Sequence, residues 1–332
     1  MQPPSPTTPT PYRAGPDGAD GQPSIDMTTE LSHDAYLYET DEAFVETIVP
    51  FLRGGLEAGA PTAVATTPSH IALLRDAMGT DADDVHLFPD GAWYVRPAST
   101  VEGWRRELRR RGGGLRVPSR IVGEVLFGEG AARQRTWTRF ESTLNGVFAG
   151  TPAWIVCPYD RRRLAPQVIA DAARTHPVLW NGERHPSDRY EKPEAFLRAE
   201  PELPIDTEGS PTLSIQVHGR PGEVRSALRR AVAEALPPQR VEDLALVATE
   251  LVANTIVHGG GAGTVAAWVR PGSTTLEVRD SGPGLADPLA GYRPPEPGSV
   301  GGMGLWVVRR LADAVTVDAS DAGTTVRIRI DG

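Results

Sequence analysis

The segment ATELVANTIVHGG contains a glutamate and an asparagine in a run of otherwise apolar residues. The apolar spacing predicts a helix over 238–257, in which Glu250 and Asn254 stand one turn apart on the same face. Burying a carboxylate and a carboxamide is costly unless each group finds a partner. The pair is therefore either satisfied within the protein, as a core pair or a polar stripe touching solvent, or directed at a ligand. The motifs that follow favour the ligand.

A predicted strand end and a tight turn come next, in RDSGPG, where Asp280 precedes Gly282 and Gly284. Glycine permits the turn because it has no Cβ, and for the same reason it lets backbone approach a flat ring. A carboxylate at this place can accept a hydrogen bond from the exocyclic amine of a purine. Taken alone, such a glycine turn is more often only a turn.

A second glycine cluster, GSVGGMGLWVV, runs directly into a predicted amphipathic helix. Free N–H groups at a helix N-terminus bind anions, so Gly301, Gly302 and Gly304 are candidate phosphate-binding residues. The last predicted strand begins with Thr324 and Thr325, whose hydroxyls are candidate contacts to a base. The polar helix face, the turn, the glycine cluster and the threonines together predict a nucleotide site.

In this order the motifs resemble those of the GHKL (Bergerat-fold) ATPases, which include the ATP-binding domains of histidine kinases, gyrase B and Hsp90. ELVANTIVH resembles their N-box and DSGPG their first glycine box. GGMGL, which ends at Leu305, resembles the second glycine box, and GTT the last motif of the nucleotide pocket. The resemblance covers about residues 212–330, and it implies a domain that binds ATP and Mg²⁺.

Carried over by position, the resemblance implies that Asn254 is the Mg²⁺ ligand and that Glu250 acts as a general base or positions a nucleophile. It also implies that Asp280 binds the adenine amine and that the loop 285–300 forms a lid over ATP. Mg²⁺ keeps several waters and takes few protein oxygens, so one carboxamide together with phosphates is a sufficient set of ligands.

Within that superfamily the segment is most similar to the anti-sigma factor serine kinases. The likeness rests on E-L-V-x-N followed by His258, on GGxGL-x-x-V, and on the lack of a separate F-box. It implies that the protein phosphorylates a STAS-type anti-anti-sigma partner or binds a sigma factor. Many of these kinases have arginine where this chain has Met303, so a nucleotide-gated binding regulator without kinase activity is an alternative.

A third alternative is a sensor-histidine-kinase-like ATPase. The sequence argues against it, because the two candidate phosphoacceptors His176 and His185 each precede a proline, which disfavours a helical position. The stretch before the nucleotide-binding segment is also too polar and too broken by proline to predict a dimerisation helix pair. A homodimer of another kind is left open.

The N-terminal part predicts an α/β domain over 31–182 with a mainly parallel sheet, since helices alternate with strands in PTAVATT, VHLF, AWYV, LRVPSRI and AWIVCPYD. SHDAYLYETDEAF, PYDRR and THP resemble the MEDS sensory domain, which implies a RecA-like fold and a small-molecule ligand. His33 with Tyr36 and Tyr38 is a candidate pocket lining, and a structural hydrogen-bonding role for the histidine is the alternative. Asp160 ends a strand and is either a ligand-binding residue or a helix cap.

A polar, proline-rich segment over 183–211 predicts a linker, and a C-terminal domain over 212–332 follows. Its strands are expected in LSIQVH, TVAAWVR, TLEVRDS, VTVDA and TTVRIRI. Its helices are expected at 221–236, 238–257 and 303–313. Helices grouped against a mostly antiparallel sheet predict an α+β sandwich.

Composition excludes several other classes of protein. The chain has 332 residues and a net charge of −9, which argues against broad nucleic-acid binding. Its only lysine, Lys192, follows no glycine-rich loop, which excludes P-loop enzymes and eukaryotic-type protein kinases. A single cysteine, Cys157, fits a reducing cytoplasm. No apolar stretch predicts a membrane span, and residues 1–30 predict a disordered tail and not a secretory signal.

Overall fold

The computed structural model describes residues 30–112, 117–217, 221–295 and 302–332. Two sheets organise these residues, one with seven strands and one with five. Most of the expected N-terminal tail and the candidate residue Gly301 lie outside the described residues.

The N-terminal unit alternates strands and helices along the chain. Its strands are β1 (Ser32–Tyr38), β2 (Thr62–Thr66), β3 (His86–Pro89), β4 (Ser119–Gly123), β5 (Ala153–Asp160), β6 (Val178–Asn181) and β7 (Glu183–Pro186). Its helices are α1 (Asp41–Glu57), α2 (Pro68–Met78), α3 (Asp90–Trp93), α4 (Pro97–Gly112), α5 (Ala131–Val147), α6 (Pro166–Thr175) and α7 (Pro193–Ala199). The strands lie in the order β3-β2-β4-β5-β1-β6-β7, and neighbours pair in parallel except β6 with β7. The predicted mainly parallel sheet is confirmed.

Burial explains why these strands look apolar along their whole length. Every residue of β2 and of β5 is buried, as expected for a parallel sheet that helices cover on both faces. The helices start where the sequence supplies caps. The hydroxyl of Thr40 accepts the N–H of Ala43 at 3.1 Å before α1, and Thr67 does the same for His70 at 3.1 Å before α2.

The prediction of a strand at AWYV is wrong. Asp90 starts the short helix α3 there, because its carboxylate accepts the N–H of Gly91 at 2.6 Å and its carbonyl accepts the N–H of Tyr94 at 2.7 Å. The indole of Trp93 stacks on Phe88, with ring centroids 4.1 Å apart. A short apolar run is buried equally well as a helical turn or a strand, so its periodicity does not separate the two.

The segment 183–211, predicted as a linker, contains two elements of the N-terminal unit. β7 completes the seven-stranded sheet at its edge, and α7 buries Phe196 and Leu197. Two apolar side chains in a seven-residue helix are too few to produce a visible periodicity, which is why the polar composition dominated the sequence pattern.

The C-terminal unit is the expected α+β sandwich. Its strands are β8 (Leu213–Val217), β9 (Gly263–Arg270), β10 (Ser273–Asp280), β11 (Ala314–Ser320) and β12 (Gly323–Asp331). Its helices are α8 (Pro221–Val232), α9 (Pro238–Val257) and α10 (Met303–Leu311). The strands pair antiparallel in the order β11-β12-β10-β9-β8, and all three helices contribute to one apolar core with the sheet. The predicted bounds of α9 are confirmed.

We expect the buried face of α9 to determine the stability of this unit. Leu244 is 0% exposed, whereas Leu246 on the same helix is 46% exposed. Leu244→Ala leaves a cavity and should lower the free energy of unfolding of the C-terminal unit by about 2–5 kcal/mol. Leu246→Ala is the matched control and should change it by less than about 0.5 kcal/mol. Urea unfolding with hydrogen exchange of the α9 amides measures both, and equal losses would contradict this packing.

Candidate functional site

The predicted motifs meet where α9 ends and the five-stranded sheet begins. Gly259 follows α9 and lies against Asp280, since a Cβ at Gly259 would be 2.7 Å from the Oδ2 atom of Asp280. Gly282 lies against the same helix end, because its Cβ would be 2.6 Å from the carbonyl oxygen of His258. Only glycine allows the turn and the helix end to approach this closely.

The carboxylate of Asp280 is fixed by backbone donors. Its Oδ1 atom accepts the N–H of Gly282 at 3.0 Å and the N–H of Thr324 at 3.1 Å. Its Oδ2 atom faces Gly259, and no described residue donates a hydrogen bond to it. The Oδ2 atom of this half-buried, oriented carboxylate is therefore an available acceptor beside the backbone of Gly259 and Gly282.

The second glycine box brings the first turn of α10 over Asn254. A Cβ at Gly304 would be 2.8 Å from Nδ2 and 3.0 Å from Oδ1 of Asn254. Gly302 caps the helix with a φ of 77°, a left-handed conformation that favours glycine. Leu305 is half-buried and packs against the C-terminal core. The N-terminus of α10, whose first N–H groups have no partner within the helix, therefore lies beside the carboxamide.

Glu250 and Asn254 lie one turn apart on α9 and both are half-buried, whereas their neighbours Leu251 and Val252 are buried. The backbone carbonyl of Asn254 accepts the N–H groups of His258 at 2.8 Å and of Gly259 at 3.1 Å, which ends the helix. The two polar side chains are therefore partly accessible, unlike the core residues beside them.

The remaining predicted residues divide between the two faces of the sheet. Thr324 joins the site through its backbone N–H on Asp280. Thr325 lies on the opposite face, where its hydroxyl accepts a hydrogen bond from Nε of Arg279 at 3.2 Å, because successive residues of a strand alternate. Gly284 has a φ of 79° and packs against the backbone of Ser320. The structure thus brings Thr324, but not the side chain of Thr325, to the candidate site.

The described part of the predicted lid, residues 285–295, is docked on the N-terminal unit. Leu289 is 0% and Tyr292 4% exposed, and both pack with Leu197 of α7 and Val147 of α5. Gly146 of α5 is adjacent, since its Cβ would be 3.0 Å from a methyl carbon of Leu289. The lid is therefore held by apolar contacts with the other unit.

A buried ionic cluster lies beside these apolar contacts. The Glu202 carboxylate accepts hydrogen bonds from Arg309 of α10 at 2.5 Å and from the hydroxyl of Tyr292 at 3.0 Å, and Arg139 of α5 approaches it to 3.6 Å. The three charged side chains are at most 10% exposed. Burial acts to raise the pKa of Glu202, but the two guanidinium groups outweigh it and hold the pKa below its ordinary value. No local pattern predicts this cluster, because its members come from four separate segments.

α10 joins the two units directly. Trp306 is 4% exposed and belongs to the apolar core of the N-terminal unit, whereas Val308, two residues later, belongs to the C-terminal core. Arg96 donates a hydrogen bond to Asp313 at 2.5 Å just beyond the helix. The helix whose N-terminus faces Asn254 is thus anchored in both cores.

A separate cavity of about 300 Å³ opens at the carboxyl ends of β1 and β6. Tyr36, Tyr38 and Trp180 line it. Ligands of parallel α/β sheets bind at this edge, and the volume lies within the usual range for small-molecule pockets. The structure therefore brings the two predicted tyrosines together at a cavity.

The other two candidates of the N-terminal unit lie elsewhere. His33 is on the opposite face of β1 and is 1% exposed. Asp160 accepts the N–H and the guanidinium of Arg162, each at 2.9 Å. Burial acts to raise the pKa of Asp160, and Arg162 outweighs burial, so the pKa lies below its ordinary value. Asp160 thus stabilises the turn after β5.

Among the described residues, no helix combines the length and the apolar character that crossing a membrane requires.

Comparison with known proteins agrees with this division of the chain. The family model described as MEDS, MEthanogen/methylotroph, DcmR Sensory domain, matches residues 32–177, and the model described as histidine kinase-like ATPase domain matches residues 218–330. Fifteen chains of solved structures match. One is the NMR structure of the histidine kinase domain of the E. coli osmosensor EnvZ, which is 19% identical, covers 38% of this chain and 92% of that chain, and has a TM-score of 0.22. No curated protein matches the chain.

The resemblances to the MEDS domain and to the histidine kinase-like ATPases are therefore confirmed: the chain contains a MEDS sensory domain over residues 32–177, followed by a histidine kinase-like ATPase domain over residues 218–330.

Proposed function

We propose that the protein is an ATP- and Mg²⁺-dependent regulatory serine kinase whose substrate is a STAS-type anti-anti-sigma protein, and whose activity the MEDS domain controls. The observation that carries the proposal is the convergence of Asp280, Asn254 and the first turn of α10 at one end of α9. A sigma factor as a second partner and a cytoplasmic location are parts of the same proposal.

The residues present fit a purine nucleotide. Asp280 offers one oriented carboxylate oxygen, and Gly259 and Gly282 form a floor that a single Cβ would obstruct. Opposite them, the free N–H groups of α10 begin beside Asn254, in the manner of a phosphate-binding helix N-terminus. Mg-ATP, when bound, supplies the phosphoryl group and the cation that neutralises phosphate charge.

Each polar residue then has a distinct role. Asn254 offers an amide oxygen to the metal, and Glu250, one turn away and half-buried, accepts the proton of the partner hydroxyl. The N-terminus of α10 stabilises the negative charge of the phosphates.

A hydroxyl of a partner is better supported as the phosphoacceptor than a histidine of this chain. His176 is 0% exposed and is therefore inaccessible, and His185, although exposed, lies in the strand β7 and not on a helix. Between β7 and β8 the described residues form one helix of seven residues, too short for a dimerisation helix pair. These observations support phosphorylation in trans.

One observation favours a second candidate function. Met303 is 54% exposed at the start of α10, where arginine is frequent among anti-sigma factor serine kinases. Methionine offers no charge to a phosphate. In this second function the site binds Mg-ATP and the bound nucleotide controls partner capture, but no phosphoryl group is transferred. Incubation with a STAS protein and labelled ATP separates the two functions.

The docked lid supports a route for control by the MEDS domain. Opening the lid requires Leu289 and Tyr292 to leave α5 and α7, and it requires Glu202 to lose a partner. A ligand of the MEDS domain that displaces α5 would therefore change access to the nucleotide site.

Asp280→Asn tests the adenine contact. Asparagine can keep its oxygen on the N–H groups of Gly282 and Thr324, which turns its amide donor toward the position of the adenine amine. We expect the fold to persist and ATP affinity to fall about 10- to 100-fold, with a loss of selectivity over GTP. Asp321→Asn, at an exposed turn, is the matched control. Calorimetry with ATP and GTP measures the effect, and unchanged selectivity in Asp280→Asn would count against the assignment.

Glu250→Gln and Asn254→Ala should fail in different ways. Glutamine keeps the shape of Glu250 but accepts no proton, so Mg-ATP affinity should persist while phosphoryl transfer falls about 10²–10⁴-fold. Asn254→Ala removes a metal ligand, so Mg-ATP affinity and transfer should fall together. Glu234→Gln, at an exposed position, is the control. If Glu250→Gln phosphorylates a STAS protein at the parent rate, the general-base role is excluded. If the parent protein itself transfers no phosphoryl group, the result favours the binding regulator.

Glu202→Gln tests the interdomain control. The change leaves the guanidinium groups of Arg139 and Arg309 buried without their negative partner, which costs about 3–5 kcal/mol. We expect the lid to undock, which hydrogen exchange of residues 285–295 detects as faster exchange. Glu208→Gln is the control, because its ion pair with Arg270 is largely exposed. Unchanged exchange in Glu202→Gln would show that apolar contacts alone hold the lid.

A further inference from the structure

Four buried side chains converge inside the MEDS domain, on the face of the sheet opposite the cavity that Tyr36 and Tyr38 line. They are His33 of β1, Glu141 of α5, Cys157 of β5 and His176 at the end of α6. Each is at most 2% exposed, and one candidate ligand atom from each lies within 4.8 Å of all the others. The nucleotide site and the proposed kinase activity involve none of them.

Hydrogen bonds fix which nitrogen of His33 faces the cluster. The amide nitrogen of Asn145 donates to the carbonyl of Thr175 at 2.7 Å, so its Oδ1 atom faces Nδ1 of His33 at 3.1 Å. Because Oδ1 can only accept, Nδ1 of His33 bears the hydrogen. In the neutral ring the Nε2 atom therefore presents a lone pair, 3.3 Å from the sulfur of Cys157 and 3.6 Å from Glu141.

His176 is oriented in the same way by backbone. Its Nδ1 atom lies 3.0 Å from the carbonyl oxygen of Ala172, which can only accept, so Nδ1 bears the hydrogen. Its Nε2 atom lies 3.0 Å from Oε2 of Glu141. Burial and the neighbouring His33 lower the pKa of His176, which favours the neutral ring with a lone pair on Nε2.

With both rings neutral, the four facing groups share one hydrogen, that of the Cys157 thiol. The contact between Nε2 of His176 and Oε2 of Glu141 is 3.0 Å long, but neither atom, nor Oε1 of Glu141, has a hydrogen bond of acceptable geometry among the described atoms. Burial and the Glu141 carboxylate raise the pKa of the Cys157 thiol, so in the absence of a cation it stays protonated. A proton joins two such atoms at a time, whereas a metal ion joins all four.

We propose that His33, Glu141, Cys157 and His176 bind one divalent transition-metal ion of the zinc type in a tetrahedral site. Bonds of about 2.0–2.3 Å at tetrahedral angles place ligand atoms about 3.3–3.7 Å apart. The three separations given above, 3.0, 3.3 and 3.6 Å, are close to this range, and all four ligand atoms lie within 4.8 Å of one another. The carboxylate and a thiolate neutralise the dication, which makes the buried site electrically balanced. Four protein ligands leave no open position, so the metal is structural or sensory and not catalytic.

The full chain, expressed without a polyhistidine tag, tests the proposal without any substitution. We expect one equivalent of metal per chain, held through gel filtration because the site is closed to solvent. X-ray absorption of the zinc form should show one sulfur at about 2.3 Å and nitrogen or oxygen at about 2.0 Å. After replacement by Co²⁺, a thiolate-to-metal charge-transfer band and four-coordinate ligand-field bands should appear.

Substitutions assign the ligands. Cys157→Ser should abolish the charge-transfer band, and His176→Gln should remove the metal, whereas His185→Gln, at an exposed histidine that also precedes proline, should change neither. Asn145 is a positioning residue for His33. Asn145→Ala should weaken Co²⁺ binding about 10- to 100-fold. Asn145→Asp keeps an acceptor for Nδ1 of His33 and should restore most of the affinity.

Two results would overturn the proposal. One is a folded parent chain, verified by circular dichroism, that takes up no Zn²⁺ or Co²⁺ on refolding in their presence. The other is a metal bound without sulfur in its coordination shell, which would place it at surface histidines. Because both are measured on the parent chain, a variant that fails to fold does not affect them.

Discussion

The carboxylate of Glu202 lies between the guanidinium groups of Arg309 and Arg139, at the point where the two domains and the connecting segment meet. Its removal from water is compensated only while both cations and the hydroxyl of Tyr292 stay in place. The other carboxylate oxygen accepts the N–H of Val317 at 2.8 Å, which ties the connecting segment to the five-stranded sheet. One side chain thus joins the MEDS domain, the lid and the ATPase domain.

α5 is the element through which these parts meet. Within eight residues it supplies Arg139 to the ionic cluster, Glu141 to the buried cluster of the MEDS domain, Asn145 to the orientation of His33, and Gly146 to the contact with Leu289. A displacement of this helix would act on the metal-site candidate and on the lid together. α5 therefore contacts both the buried cluster of the MEDS domain and the segment predicted as the lid.

The candidate nucleotide site depends on glycines at positions where a side chain would not fit. Gly259, Gly282 and Gly304 bring three separate segments within van der Waals distance, and a Cβ at any of them would meet Asp280, His258 or Asn254. Few polar groups remain at that end of α9, and those few are either fixed by backbone, as in Asp280, or held one turn apart, as in Glu250 and Asn254. Preorganisation of this kind requires glycine backbone as much as it requires the polar residues.

The sequence alone determined the two domains, the bounds of α9 and the set of motifs, because apolar periodicity, caps and glycine clusters are local properties of the chain. It also predicted that the polar face of α9 serves a ligand. It placed a strand at AWYV, because a short apolar run does not distinguish a buried turn of helix from a strand. Only the tertiary structure separated Thr324 from Thr325 and brought together His33, Glu141, Cys157 and His176, or Arg139, Glu202 and Arg309. Their members are far apart in sequence, and contacts between distant segments follow from sheet order and helix packing, which no local spacing records.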